Sequence, residues 1–378
     1  MKKIILAIDA YKGCLSSEEV EAAVEEGIRR VDATIEVCAL PVADGGEGIL
    51  EVLVRLTHGH KVEVETHDPL MRTIRAYYGV LGDGETAVVE MAQASGLPLL
   101  HSRERNPLLT TTYGTGEIVE RVIADGYRKI IMGLGGSATN DAGMGMMQAL
   151  GARFYNAENE ELGRGCGKLL EEVAHLELAD FLHKIEGVEF VTACDVDSSF
   201  CGPKGAAAVF APQKGADSQM VNRLDQGMCH YATTLEKLGV KSMKNIAGAG
   251  AAGGMGGCLF AFFHSTLRPG IDLILDEIKF RQVVEGAVGI ITGEGKSDRQ
   301  TLLGKVPIGV LRIGQEMKVN VALLSGAVEE PDALLAAGFS FVKVVTPLDM
   351  PLDIAMQSAV AKRNIQSAVR DIVLHFLE

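Results

Sequence analysis

Four acidic residues of this 378-residue chain stand where predicted β-strands end, and each has glycine or lysine close by. They are Asp9, Asp44, Asp195 and Glu294, in the segments DAYKG, ADGGEG, CDVDSSFCGPKG and GEGKSD. Ligands of open parallel sheets bind outside the carboxyl ends of the strands. One acid at such a place is as often a helix cap or a turn former, but four together favour a binding site. Carboxylates there can hold a divalent cation or accept a proton from a substrate hydroxyl.

A glycine-rich loop after the predicted strand KIIMGL is the second candidate for chemistry. Residues 133–145, GLGGSATNDAGMG, carry little side chain, so a ligand can approach their backbone N–H groups. Successive N–H groups before a helix form an anion-binding nest, which suits a phosphate chain. The residues expected to line the phosphates are Gly135, Gly136, Ser137, Thr139 and Asn140. Asp141 would either hold a metal ion or cap the following helix.

Three glycine loops imitate nucleotide-binding motifs without meeting the full pattern. The segment GEGKS lacks the first glycine of a Walker A loop, because that position is Ile290. No strand precedes GAGAAG, and GLGGSA continues with the polar residues TND where a dinucleotide-binding helix would bury its first turn. An NAD-dependent oxidoreductase of small hydroxy acids is therefore a rival interpretation rather than the preferred one.

The order of predicted elements shows how these residues are positioned. Strand KIILAIDA leads into helix SSEEVEAAVEEGIRRV, in which Ser16 and Glu19 form a capping box. The close-spaced strands KVEVETHD, TIRAYYGVL and ETAVVEMA indicate an antiparallel or mixed sheet. We therefore predict an α/β protein with a doubly wound parallel (Rossmann/flavodoxin-like) domain built from both termini, residues 1–60 plus 285–378. Residues 61–284 would form a second, inserted α/β domain.

The composition argues against several classes of protein. A net charge of −14 disfavours nucleic acid or an anionic membrane as the main partner. The apolar run at the N terminus stops at Asp9, which is too early for a signal peptide. Seven scattered cysteines without a C-x-x-C pair disfavour a disulfide framework. We therefore expect a cytoplasmic protein with no nucleic-acid and no membrane partner.

Taken in order, these segments resemble the type-1 family of bacterial glycerate kinases. The matching segments are DAYKGCLSS, PVADGGEG, MAQASGL, TTYGTGE, GLGGSATNDAG, ACDVD, APQKGA, GAGAAGGMG and GEGKSDRQTLLGKVP. The resemblance implies an ATP-dependent kinase that phosphorylates D-glycerate with Mg²⁺ and ATP as cofactors, usually at the 2-hydroxyl. Formation of 3-phosphoglycerate is the alternative outcome, and a homodimer is a candidate assembly.

Phosphoryl transfer gives each candidate residue an expected role, because it depends on positioning and charge neutralisation more than on covalent catalysis. Asp195 is the candidate base, and Lys12 would bind glycerate or the γ-phosphate as a catalytic cation. Asp9 and Arg72 are further candidates for contact with the substrate. The candidate magnesium ligands are Asp44, Glu294 and Asp298. A sugar-acid sensor, which would bind glycerate without ATP turnover, is the other rival interpretation.

Overall fold

The part of the chain that the computed structural model describes is residues 2–40, 42–43 and 48–377. Contacts divide the chain into two compact units, the first formed by Met1–Asp44 with Ile271–Glu378 and the second by Gly45–Gly270. Both domain boundaries predicted from the sequence lie later in the chain than these. One reason is that helix Ile49–Leu56 packs its apolar face on strands of the second unit.

The first unit is a five-stranded parallel sheet with helices packed against it. Its strands, in chain order, are Lys3–Ile8, Glu36–Ala39, Gly289–Gly293, Val321–Ser325 and Phe341–Val344. In space they lie in the order 2-1-3-4-5, which is the flavodoxin-like order of doubly wound sheets. Its helices are Ser17–Val31, Gly270–Glu277, Phe280–Val284, Val306–Met317, Pro331–Ala337, Leu352–Ala355 and Ser358–Leu377. The predicted fold class is confirmed in this unit.

Side-chain alternation along the strands explains why helices cover both faces of this sheet. Ile4, Leu6 and Ile8 are buried in a cluster that includes the apolar faces of helices Ser17–Val31 and Ser358–Leu377. Ile290 packs against helix Val306–Met317 instead. The predicted capping box is also present, because the Ser16 hydroxyl accepts from the Glu19 N–H at 3.3 Å.

The second unit is built on a six-stranded mixed sheet. Across the sheet its strands are Thr266–Arg268, Glu189–Ala193, Lys129–Gly133, Thr86–Glu90, Thr73–Val80 and His60–His67. The first four run parallel and the last two pair antiparallel, as the close-spaced strands predicted. The helices are Ile49–Leu56, Ala92–Ser95, Tyr113–Ala124, Met144–Ala149, Ala179–Ile185, Ala206–Phe210, Ser218–Lys237 and Ala251–Phe262.

The parallel strands of the second unit end level with one another. Gly133 is in register with Ala193, and Ala193 is in register with Arg268 on the next strand. The loops that follow these three strands therefore start at one edge of the sheet. None of the helices in the described ranges is long and apolar enough to cross a membrane.

Candidate active site

The first unit contains a cavity of about 490 Å³ at the carboxyl ends of its strands. Asp9 follows the first strand and Glu294 follows its neighbour, and the Asp9 N–H donates to the Gly293 carbonyl at 2.9 Å. The strand order reverses between these two strands, which is the topological switch point where ligands of such sheets bind. Asp9, Lys12 and Glu294 all line this switch-point cavity, so three of the predicted residues come together.

Hydroxyl groups and one lysine hold the Glu294 carboxylate in place. Its Oε1 accepts from the Thr301 hydroxyl at 2.6 Å and from the Ser297 hydroxyl at 3.2 Å. Its Oε2 accepts from Lys305 Nζ at 3.1 Å, and the side chain is only 9% exposed. A carboxylate has about four lone-pair sites, so these three bonds leave room for one further partner. Glu294 therefore fits a single ligand position on Mg²⁺.

The structure does not place either of the other two predicted magnesium ligands beside Glu294. Asp298 Oδ1 accepts from the Gln300 N–H at 2.7 Å and caps the turn Arg299–Leu303, and Asp298 does not line the cavity. Asp44 lies outside the described residues. Within the described residues, no three His, Cys, Asp or Glu side chains are grouped to hold a metal. Mg²⁺ is usually held by one or two carboxylates together with phosphates of a substrate. Among the residues that the structure describes, Glu294 is the predicted ligand whose surroundings fit this role.

A second cavity, of about 250 Å³, lies in the second unit and is lined by the glycine loop. Gly135, Gly136 and Ser137 line it, and Gly136 has a φ of +70°, which is the left-handed conformation expected in a nest. In the part of the chain that is described, the N–H groups of these three residues donate no hydrogen bond. We call these three N–H groups the nest, and this space the nest cavity. The nest is free to receive an anion.

Asp195 lines the same nest cavity. It follows strand Glu189–Ala193, and its Oδ1 accepts from the Gly270 N–H at 2.8 Å. This bond orients the exposed carboxylate through the loop of the adjacent parallel strand. The predicted base and the predicted anion nest are therefore neighbours in one cavity of one unit.

Thr139 and Asn140 do not line the nest cavity with Gly135, Gly136 and Ser137. Both residues are fully buried and neither lines the nest cavity. The Asn140 amide donates to the Met228 sulfur at 3.1 Å, and the Thr139 carbonyl accepts from a lysine. The side-chain oxygens of Thr139 and Asn140 are buried without a hydrogen-bond partner among the described residues, and neither residue lines the nest cavity, so the structure does not place them in contact with a phosphate there.

Asp141 is a structural residue of the glycine loop. Its fully buried carboxylate accepts from the Thr112 N–H and hydroxyl, both at 2.8 Å, and from the Gly143 and Gly145 N–H groups, both at 3.2 Å. Burial raises the pKa of this carboxyl, while these hydrogen bonds act in the opposite direction. Of the two predicted roles, metal ligand or helix cap, the contacts are closer to the cap, because the carboxylate accepts from the Gly145 N–H in the first turn of helix Met144–Ala149, although the N-cap residue itself is Gly143.

Arg72 is held away from the nest cavity by ion pairs. Its guanidinium contacts the Asp68 carboxylate at 2.5 Å and the Glu104 carboxylate at 3.0 Å. A third bond goes to the Leu99 carbonyl at 3.2 Å, and Arg72 lines neither cavity. Two carboxylates already neutralise this cation, so the structure does not support the predicted contact with the substrate.

Lys214 is a candidate functional residue that the sequence reasoning missed. It is 1% exposed and lines the nest cavity, where its Nζ donates to the Ser137 hydroxyl and the Thr139 carbonyl, both at 2.7 Å. Burial lowers the pKa of Lys214 to about 7, and the charge of Asp141 opposes this shift. The only signal in the sequence was the segment APQKGA, which matched the family without suggesting a role.

The pKa of Lys214 predicts how stability depends on pH. An unfolded lysine has a pKa near 10.4, whereas folded Lys214 has a pKa of about 7. Between these values the unfolded chain binds more protons, so Lys214 makes the free energy of unfolding rise with pH. Relative to Lys214→Met, the parent should gain stability from pH 7 to pH 9.5 in denaturant unfolding. A constant difference between the two proteins across this range would contradict the prediction.

Comparison with known proteins agrees with this architecture. A family model described as the glycerate kinase family matches residues 4–377. A glycerate kinase of Bacillus subtilis (strain 168) is 41% identical over 371 residues, which is 98% of this chain and 96% of that protein. A glycerate 2-kinase of Escherichia coli (strain K12) is 39% identical over 328 residues, covering 87% of this chain and 86% of that protein.

A solved structure agrees at the level of the fold. A crystal structure assigned as a glycerate kinase 2 from Salmonella typhimurium LT2 superposes with a TM-score of 0.85 at 39% identity. The alignment covers 99% of this chain and 98% of that one. A family match over nearly the whole chain, with close relatives of almost equal length, identifies this chain as a member of the glycerate kinase family.

Proposed function

We propose that this chain transfers the γ-phosphoryl group of ATP to the 2-hydroxyl of D-glycerate, with Mg²⁺ as the metal. Family membership supports the kinase activity, and the relative from Escherichia coli is named as a glycerate 2-kinase. The observation that carries the proposal is the nest cavity, where free backbone N–H groups lie beside the Asp195 carboxylate. This pairing supplies donors for phosphate oxygens and an acceptor for a proton.

In this proposal the second unit supplies the acid–base chemistry. The nest holds the phosphate oxygens through backbone N–H groups, as glycine loops of other phosphate sites do. The Asp195 carboxylate accepts the proton of the glycerate hydroxyl, and the bond from the Gly270 N–H to its Oδ1 orients it for this role. The hydroxyl oxygen forms the new bond to phosphorus as the bond between the γ-phosphorus and the bridging oxygen breaks. ADP leaves with the electron pair of that bond.

In the first unit we propose that Lys12 and Asp9 contact glycerate, and that Glu294 is a ligand of Mg²⁺. The convergence of these three residues on the switch-point cavity supports this assignment. Bound Mg²⁺ would neutralise charge on the phosphates. A cytoplasmic location and a homodimeric assembly stay predictions.

Product analysis by phosphorus NMR tests this proposal. With D-glycerate and Mg-ATP we expect 2-phosphoglycerate, and we expect ATP consumption to require both D-glycerate and a divalent metal. Excess EDTA should abolish turnover, because the phosphate charge is then not neutralised. Formation of 3-phosphoglycerate would support the alternative product instead. Tight NADH binding without ATP turnover would favour the oxidoreductase, and glycerate binding without turnover would favour the sensor.

A further inference from the structure

Lys214 is a buried amine whose hydrogen bonds go to neutral acceptors. The two acceptors are the Ser137 hydroxyl oxygen and the Thr139 carbonyl oxygen, and no carboxylate in the described ranges forms an ion pair with Nζ. The nearby Asp141 carboxylate is already engaged by four donors. Burial disfavours a charge without a partner, which is why burial lowers the pKa of this amine and why an anion beside it would favour the charged form. A lysine in this position therefore indicates that an anion completes the site.

The space in front of Lys214 has the donors that a phosphate group needs. Because Ser137 Oγ accepts from Nζ, the Ser137 hydroxyl proton is available to a ligand. Lysine carries three donor hydrogens, and two of them are used by the protein. With the nest, the cavity thus offers donors from an ammonium, a hydroxyl and three backbone amides. A phosphate group has enough acceptor oxygens to use several of them at once.

We propose that Lys214, the Ser137 hydroxyl and the nest together form one phosphate-binding site, and that phosphate binding there makes Lys214 take up a proton. This inference rests on the proposed function, in which the nest holds phosphates of the nucleotide. It adds to that function a cation and a proton linkage. The site would therefore bind phosphate more weakly as the pH rises above neutrality.

The charged surroundings of Lys214 explain the proton linkage. Burial lowers the pKa of Lys214 to about 7, so the amine is largely neutral at pH 8 before the anion binds. Two acids face this region, Asp141 beneath the loop and Asp195 in the cavity wall. Both are present before and after the anion binds, so they do not cause a change in the pKa of Lys214 on binding. Burial raises the pKa of the Cys194 thiol in the same wall, so this group stays uncharged. The added negative charge of phosphate is what raises the pKa of Lys214.

Isothermal titration calorimetry with ADP as the probe tests the inference. At pH 8, titrations in two buffers with different ionisation enthalpies give the number of protons taken up, which should approach about one. Lys214→Met should weaken ADP binding at least about tenfold and abolish proton uptake. Lys214→Arg should also abolish uptake, because arginine is already charged at pH 8. Lys204→Met, which removes an exposed lysine of the same unit, should match the parent.

Two further probes decide which anion the site takes. Inorganic phosphate should show the same dependence on Lys214 as ADP, whereas D-glycerate binding should not change. Loss of D-glycerate binding with intact ADP binding would overturn the phosphate assignment, and unchanged proton uptake in Lys214→Met would overturn the linkage. A thermal melt of each variant confirms that the chain is folded.

Failure of the proposed function and failure of this inference give different experimental results. If the parent phosphorylates D-glycerate but ADP binding does not depend on Lys214, only this inference fails. If ADP binding shows the linkage but no phosphoglycerate forms, the phosphate site stands and the proposed function fails.

Discussion

Asp195→Asn is expected to lower kcat by about 10²- to 10³-fold while the Michaelis constant for D-glycerate changes little. In the parent, the Gly270 N–H donates to Asp195 Oδ1 at 2.8 Å. The asparagine oxygen can accept the same hydrogen bond, so the side chain should stay in place. Asparagine cannot accept the proton of the glycerate hydroxyl, because an amide nitrogen replaces one of the two carboxylate oxygens. General-base catalysis reaches about 10⁴-fold, but a loose phosphoryl-transfer transition state needs less help from the base, which favours the lower part of the range.

Steady-state kinetics across a magnesium titration, with a thermal melt, measure this effect. Asp197→Asn is the matched control, since Asp197 is exposed, lies two positions later and does not line the nest cavity. If added magnesium restores Asp195→Asn, the residue is a metal ligand. If kcat stays near that of the parent, Asp195 has no part in catalysis.

Asp141→Asn is expected to have the largest effect on stability, lowering the free energy of unfolding by about 3 kcal/mol, the upper end of the cost of leaving a buried donor unpaired. The carboxylate satisfies two donors of Thr112 and the N–H groups of Gly143 and Gly145 in a fully buried site. An asparagine amide nitrogen would face some of these donors and leave them unpaired. The change also removes the negative charge that favours charged Lys214.

Chemical denaturation of Asp141→Asn, Lys214→Met and the double variant measures both parts of this effect. Because the two charges attract, the double variant should lose less stability than the sum of the single variants. Asp197→Asn again serves as the control and should unfold like the parent. A loss below about 1 kcal/mol in Asp141→Asn, the value of one ordinary hydrogen bond, would show that the four contacts do not hold the glycine loop in place.

Local patterns in the sequence determine where the strands end and therefore which acids stand at the edges of the sheets. The short apolar runs Lys3–Ile8 and Gly289–Gly293, which are buried almost throughout, are enough to place Asp9 and Glu294 at carboxyl ends. Similar reasoning places the glycine loop after Lys129–Gly133 and Asp195 after Glu189–Ala193. These features depend on residues close together in the chain, which is why apolar runs and glycine spacing predict them.

Packing between distant segments decides what each polar side chain binds, and no local pattern carries that information. Lys214 reaches Ser137 across 77 positions, and Asp141 reaches Thr112 across 29. Arg72 finds Glu104 across 32 positions, which removes it from the candidate site. Burial and charge pairing depend on which surfaces meet when the chain folds. The sequence therefore determined the strand ends and the family, whereas the tertiary structure alone decided which of the candidate side chains line a cavity.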